Sequence, residues 1–324
     1  MRSLEPTPDE VRRTEIPADP WIEPYRRRMG TGNLRERLAR ERKLKEVMEP
    51  VLRHPDGLAD RRAEVRLLGK LVGAAGLAGV ARRNFERIEI QRREWRLPGL
   101  PRSFDGFRIL DASDFHVDFD PGVIDRLRRV VSGLDYDLAC LTGDFCDLAF
   151  DEAGVKREWI AELAGLFRGP VRAVPGNHDI LRVAALLEES GVRVLLNERE
   201  ESEGFVLAGL DDPRHYRNAS FAKALDGAPP GLPRVALVHA PQIYREAAAH
   251  GIDLVLCGHT HGGQVRLPGG IPLSNRFACP RRMVSRDWKF RSVRGYTSNG
   301  CGGCKLPFRL NAPAEVAVHT LRPA

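Results

Sequence analysis

The chain has 324 residues, 42% of them hydrophobic and 29% charged. That is a globular composition, which excludes wholesale disorder, a collagen-like repeat and a disulfide miniprotein, and the length suits one large α/β catalytic core with an appendage. The formal net charge is +7, and residues 1–100 carry all of it, with 23 Lys and Arg against 16 Asp and Glu, while the six cysteines are scattered widely enough to fit a reducing compartment.

Residues 1–33 contain Pro6, Pro8, Pro17, Pro20 and Pro24, a density that opposes regular helix and predicts an extended arm. Residues 34–97 read as a basic, amphipathic helical extension. A helix is predicted from Leu34 to Val51, with a narrow apolar stripe of Leu34, Leu38, Leu44, Val47 and Met48. A second is predicted from about Leu58 to Arg83, basic at both ends around an apolar centre. It suits either a helix lying in an anionic membrane interface or one packed on the catalytic core. No stretch reaches the roughly 18–20 apolar residues of a membrane span, and the acidic opening MRSLEPTPDE is the wrong start for a secretory signal. The expected location is cytoplasmic, peripheral at the inner membrane face.

From residue 98 to 324 the pattern is that of a catalytic domain. Short apolar runs at Phe107–Leu110, Leu138–Leu141, Val171–Val174, Phe205–Leu207, Val235–Val238 and Leu254–Cys257 alternate with amphipathic stretches such as Val123–Val131 and Trp159–Phe167. That is α/β architecture with buried strands. The tail from Pro268 reads as loop-dominated, with a last strand at Glu315–Leu321.

The residues just beyond these strands carry the chemistry. Asp114 and His116 come after the first, Asp144 and Asp147 after the second, Asn177, His178 and Asp179 after the third, His239 after the fifth, and His259 and His261 after the sixth. Carboxyl ends of strands in α/β sheets are where sites form. Each element alone is most often a turn or a solvated side chain, but the ordered set on successive buried strands is not explained that way. Carboxylate, imidazole and amide oxygen donors suit divalent Mn, Fe, Zn or Ni. Two such cations need a bridging carboxylate, and Asp144, behind a glycine that lets the backbone turn, is the natural one. A cation pair lowers the pKa of a shared water and clamps the attacking and leaving oxygens of displacement at phosphorus, so the predicted reaction is phosphoester hydrolysis.

The series Asp-x-His, Gly-Asp-x-x-Asp, Gly-Asn-His-Asp, His and Gly-His-x-His resembles the calcineurin-like metallophosphoesterase superfamily. The resemblance implies a two-sheet β-sandwich flanked by helices and two divalent metal ions. It implies one ion on Asp114, His116, Asp144 and His261, and the other on Asp144, Asn177, His239 and His259. It makes His178 a non-ligand acid or phosphate contact, oriented by Asp147, and a metal-bridging hydroxide the nucleophile. The segments REWRLPGLPRSFDGFRILDASDFH, GHTHGGQVRLPGG and PFRLNAPAEVAVHTL are similar to the bacterial membrane-associated phosphodiesterase branch.

Outside that set, His215, Gln264 and Arg266 are candidate substrate contacts, with Arg281 and Arg282 read as solvated. Cys301 and Cys304 have CxxC spacing and read as free or reversibly oxidised thiols rather than a structural zinc site. His54, His250 and His319 match no motif. The expected substrate is a phosphodiester or pyrophosphate, lipid- or nucleotide-linked, with the basic N-terminal region on an anionic membrane. A nuclease is the alternative, disfavoured because only Trp21, Tyr25, Phe85 and Trp95 precede residue 100 as aromatics for base stacking. A non-catalytic scaffold of the same fold would require broken ligands, and none is broken.

Overall fold

Prolines start helices in this chain rather than preventing them. The computed structural model describes residues 5–53, 55–147, 155–273 and 277–324; His54 lies outside them. Pro8 opens α1 (Pro8–Arg13), where its missing N–H would have had no helical partner. Thr7 caps this helix: its hydroxyl accepts from the Glu10 amide at 3.2 Å while the Glu10 carboxylate accepts from the Thr7 amide at 2.6 Å. Pro20 begins a 3-10 turn, and Pro24 sits in the first turn of α2 (Glu23–Met29). The expected extended arm over 1–33 is therefore corrected, within residues 5–33, to a helical segment, and a docked one. Ile22, Tyr25, Met29 and Leu34 are buried in the main apolar cluster.

Next come α3 (Thr31–Arg53), α4 (Pro55–Ala74) and α5 (Ala78–Glu86). The single helix expected from about 58 to 83 is broken between α4 and α5, where Gly76 takes φ +71. The end of the predicted helical extension is also corrected. Glu89–Leu97 is a strand, β1, whose alternating exposure marks it as a sheet edge and whose charged outward residues hide it in the sequence.

The rest of the chain alternates as expected through β2 (Arg108–Ala112), α6 (Gly122–Val131), β3 (Leu138–Leu141), α7 (Arg157–Ala164), β4 (Val171–Ala173), α8 (Leu181–Glu189) and β5 (Arg193–Val194). It continues through β6 (Glu198–Glu201), β7 (Val206–Gly209), α9 (Phe221–Ala224), β8 (Arg234–Leu237), α10 (Tyr244–Ala249) and β9 (Leu254–Cys257). The tail is less loop-dominated than its Gly, Pro and Arg content suggests. It forms the hairpin of β10 (Arg266–Leu267) and β11 (Ile271–Pro272), then β12 (Arg286–Phe290), β13 (Val293–Thr297) and β14 (Glu315–Pro323).

These strands build two six-stranded sheets, in the orders β1-β14-β2-β3-β4-β5 and β12-β13-β9-β8-β7-β6. Within each, the strands that carry the motifs run parallel: β2, β3 and β4 in one sheet, β8 and β9 in the other. Side-chain alternation then makes three apolar layers. Leu138 and Cys140 of β3 and Leu254 and Leu256 of β9 fill the space between the sheets. Ala139 and Leu141 face the layer shared with α6, α7 and α8, while Val255 and Cys257 face the layer with α10. The result is a sandwich of two sheets flanked by helices, with the carboxyl ends of both parallel sets opening on one edge.

Candidate metal centre

The loops leaving these strands are locked to one another by backbone. Asp114 donates its amide to the Gly143 carbonyl at 2.9 Å, and Phe115 and His116 donate theirs to the Asp144 carbonyl at 2.8 and 3.1 Å. The buried carboxylate of Asp179 grips two loops at once, accepting from the amides of Gly176 (2.7 Å), Asp144 (2.8 Å), Phe145 (2.9 Å) and Cys146 (3.3 Å). Asp179 stands in the Gly-Asn-His-Asp motif, but its clamping role is not evident from the sequence. The glycines are there for space. A Cβ on Gly143 would lie 2.6 Å from the Gly176 nitrogen, and one on Gly258 would overlap Ser113 Oγ and Asp114 Oδ2.

Asp114, His116, Asp144, His259, His261 and Gln264 all hold positive φ, between 46° and 73°. Such backbone is costly for residues other than glycine and persists where the surroundings over-determine it. It aims the side chains inward. His116 Nε2 and His261 Nε2 face each other at 3.1 Å, and His261 Nε2 lies 3.2 Å from Asp114 Oδ1. Asp144 Oδ2 lies 3.7 Å from His116 Nε2 on one side and 3.1 Å from His239 Nε2 on the other. Donor atoms of Asp114, His116 and Asp144 lie within 4.8 Å of one another, as do those of Asp144, His239 and His259.

Whether these residues suit cations is tested by their unpartnered atoms. His239 Nδ1 donates to the Thr142 carbonyl at 2.7 Å, which turns its buried Nε2 toward the Asp144 carboxylate. Asn177 Oδ1 and His259 Nδ1 are buried without a partner. Buried polar atoms left without partners would be expensive in a purely structural cluster and fit a cation. His116 Nδ1 faces the Cys146 carbonyl at 3.2 Å, a contact that fixes the ring and turns Nε2 toward a metal.

The charges divide these imidazoles. Burial holds the His259 and His261 pKa values well below the ordinary imidazole value, keeping them in the neutral, ligating form. Burial alone would raise Asp144 and lower His239, but their mutual attraction reverses both: Asp144 falls well below the carboxylate range and His239 rises to about 10, so without a cation His239 carries a proton that metal binding would displace.

The sequence profile of the calcineurin-like phosphoesterase family matches residues 107–263. An Aquifex aeolicus metallophosphoesterase is 30% identical over 239 residues, which cover 69% of this chain and 87% of that one. The chain belongs to the calcineurin-like phosphoesterase family. It is similar to the Bacillus subtilis metallophosphoesterase YkuE, 27% identical over 69% of this chain and 82% of the relative. A bovine transmembrane protein with metallophosphoesterase domain is 32% identical over 69% of this chain, and the aligned part spans only 55% of the bovine protein. The residues matched to this family include the His and Asp groups placed to hold divalent metal.

Other residues singled out in the sequence have definite places. His178 Nδ1 donates to the Asp147 carbonyl at 2.8 Å, with the Asp147 carboxylate farther off at 3.7 Å, so the backbone holds this ring more closely than the carboxylate does. Burial would lower the His178 pKa, but the Asp144 and Asp147 carboxylates outweigh it and raise the value. His215 sits beside His178, its Nδ1 3.1 Å from the Asn177 carbonyl. Arg214 carries no motif signal in the sequence, yet its Nη1 lies 2.9 Å from His259 Nε2. Gln264 spends its side chain on the C-terminal segment, donating to the Leu306 carbonyl at 2.8 Å and accepting from the Cys304 amide at 3.4 Å. Arg266 donates Nε to the Gly262 carbonyl, and its Nη2 is buried without an acceptor.

Proposed function

We propose that this phosphoesterase hydrolyses a phosphodiester or pyrophosphate bond with two divalent cations that share Asp144. One cation would be held by Asp114, His116, Asp144 and His261, the other by Asp144, Asn177, His239 and His259. The observation that carries this reading is the buried Asp144 carboxylate shared by two donor groups, Asp114 and His116 on one side and His239 and His259 on the other. When bound, such cations supply Lewis-acid charge and lower the pKa of a water they share. His178, half-buried and held through Nδ1, presents Nε2 to the reacting phosphoryl group, and its raised pKa suits donation of a proton to the leaving oxygen. Asp147 is the positioning residue for that ring.

The proposed substrate is an amphiphile or nucleotide-linked diphosphate met at an anionic membrane surface. Leu67, Leu71 and Leu77 on and after α4 are exposed among the basic side chains Arg66, Lys70, Arg82 and Arg83, which is the mixture that lies in a lipid interface. No helix among the described residues is long and apolar enough to cross a membrane. Base stacking has less to work with, because Tyr25, Phe85 and Trp95 are buried. The test compares hydrolysis of a bis-aryl phosphate, a nucleotide diphosphate bearing an acyl chain and single-stranded DNA, with and without anionic vesicles. The expected result is highest turnover on the acylated diphosphate and stimulation by vesicles, weakened by Leu67→Glu with Leu71→Glu. Preference for DNA, indifferent to vesicles, would favour the nuclease.

A further inference from the structure

The two cysteines of Cys301-Gly-Gly-Cys304 do not act as a pair. Cys301 is fully buried and its thiol donates to the Glu315 carbonyl at 3.4 Å. Cys304 points to the metal centre, where its Sγ lies 3.5 Å from Asp147 Oδ1 and within 4.8 Å of one nitrogen each of His116 and His261. Those two imidazoles already face each other at 3.1 Å.

The chain between the cysteines is built to bring Cys304 there. Cys301 and Gly302 donate their amides to the carbonyls of Ser113 and Asp114, both at 2.8 Å, so the segment lies directly against the Asp-x-His loop. A Cβ on Gly302 would overlap the Phe115 carbonyl, and one on Gly303 would overlap the Phe85 ring. Only glycines allow this approach. Arg309, fully buried, donates to the Gly302 carbonyl, and Gln264 receives the Cys304 amide and holds the Leu306 carbonyl. The spacing that reads in sequence as a thiol pair is therefore a delivery device for one sulfur.

We propose that Cys304 is a thiolate ligand of the cation held by His116 and His261, and that it biases this position toward thiophilic cations such as Zn or Fe and against Mn. This rests on the dinuclear reading and adds a soft donor to an otherwise N and O set. On binding, the S–H bond breaks, the sulfur lone pair goes to the cation, and the proton leaves to solvent by way of Asp147, the carboxylate nearest the sulfur. Before that the thiol is neutral, because burial and the Asp147 carboxylate both push its pKa up. Sulfur and imidazole at one cation is a combination familiar from zinc and iron sites, with metal–sulfur bonds near 2.3 Å.

The test loads the full chain with cobalt(II) and records its near-ultraviolet and visible spectra beside the bound-cobalt count. A sulfur-to-cobalt charge-transfer band is expected in the wild type and in Cys301→Ser, and its loss in Cys304→Ser, with cobalt still bound. Zinc-against-manganese competition should shift toward manganese in Cys304→Ser by at least the roughly tenfold that loss of even a supporting metal-site residue costs. Two bound cobalt ions without the band in the wild type would overturn the thiolate and leave the dinuclear centre standing. A band that follows Cys301 would overturn it too. Failure to bind cobalt at all would overturn both readings, and the wild-type spectrum decides the matter even if a variant is unstable.

Discussion

Asp144 is the residue on which the centre turns, with one carboxylate oxygen between His116 and His239 and a backbone fixed by Asp179. His178 is different in kind: its ring is held by the Asp147 carbonyl and takes no part in the donor clusters around Asp144. Substituting His178→Ala should therefore lower kcat by the roughly 10²–10⁴-fold typical of a lost general acid, with metal content unchanged on elemental analysis. Loss of metal would make His178 a ligand instead. Gly258→Ala makes the opposite test without touching a donor atom. Its Cβ would overlap Asp114 Oδ2, so bound metal and activity should fall together; unaltered metal content would show that Asp114 is not held by this contact. The identity and order of the donors are legible in the sequence because each sits within a few residues of a recognisable buried strand. Their left-handed backbone is not, since Asp114, His116 and His261 carry no local signal for positive φ and are forced into it by tertiary contacts. Cys304 is equally hidden, because its position depends on a contact with a loop more than 180 residues earlier in the chain.

At the scale of elements, α3 is part of the site's scaffold. Arg37 is fully buried and lies over the Tyr216 ring; it pairs with Asp211 at 3.2 Å and Glu41 at 2.6 Å, and donates to the Asp179 carbonyl at 2.9 Å. It thus ties the N-terminal helices to the residue that clamps the Asp144 loop. Removing one partner of a buried pair strands the other charge, so Arg37→Met should destabilise the protein by about 3–5 kcal/mol in denaturant unfolding. A loss of less than about 1 kcal/mol would mean α3 is merely appended. Farther out, α1 is fastened to α3 by Glu10 and Lys43 at 2.7 Å. Bonds from Lys43 and Thr7 lower the Glu10 pKa from 4.5 to about 2. A depressed carboxyl pKa contributes stability that is complete above the unfolded value near 4.5 and is lost as pH falls through about 2. Hydrogen exchange in α1 should accordingly accelerate across that window and lose its pH step in Glu10→Gln; a step that persists in the variant would assign it to another group. The strands between motifs are legible as short apolar runs, whereas β1, β12 and β13 are not, because edge and near-edge strands mix charged and aromatic residues. The helices starting at Pro8 and Pro20 escape a sequence reading for a different reason: proline breaks a helix interior yet fits the first helical position, and its density alone does not say which of the two applies.

For the molecule as a whole, two sheets pack face to face with the carboxyl ends of their parallel strands on one side, so that loops from β2, β3, β4, β8 and β9 converge on one cluster, and the C-terminal segment closes over it from the side of β14. The N-terminal third contributes both a buried brace, through α2 and α3, and an exposed apolar and basic surface, through α4 and α5. The site's scaffold and this exposed surface are therefore joined in the first hundred residues, and deleting them would remove core side chains such as Tyr25 and Leu34 along with the surface. The most direct measurement of the central claim is anomalous diffraction from crystals of the full chain grown with zinc. Two cations are expected, both touching Asp144, one beside His116 and His261 and the other beside Asn177, His239 and His259. A single cation, or a pair that leaves Asp144 uncoordinated, would contradict the dinuclear centre.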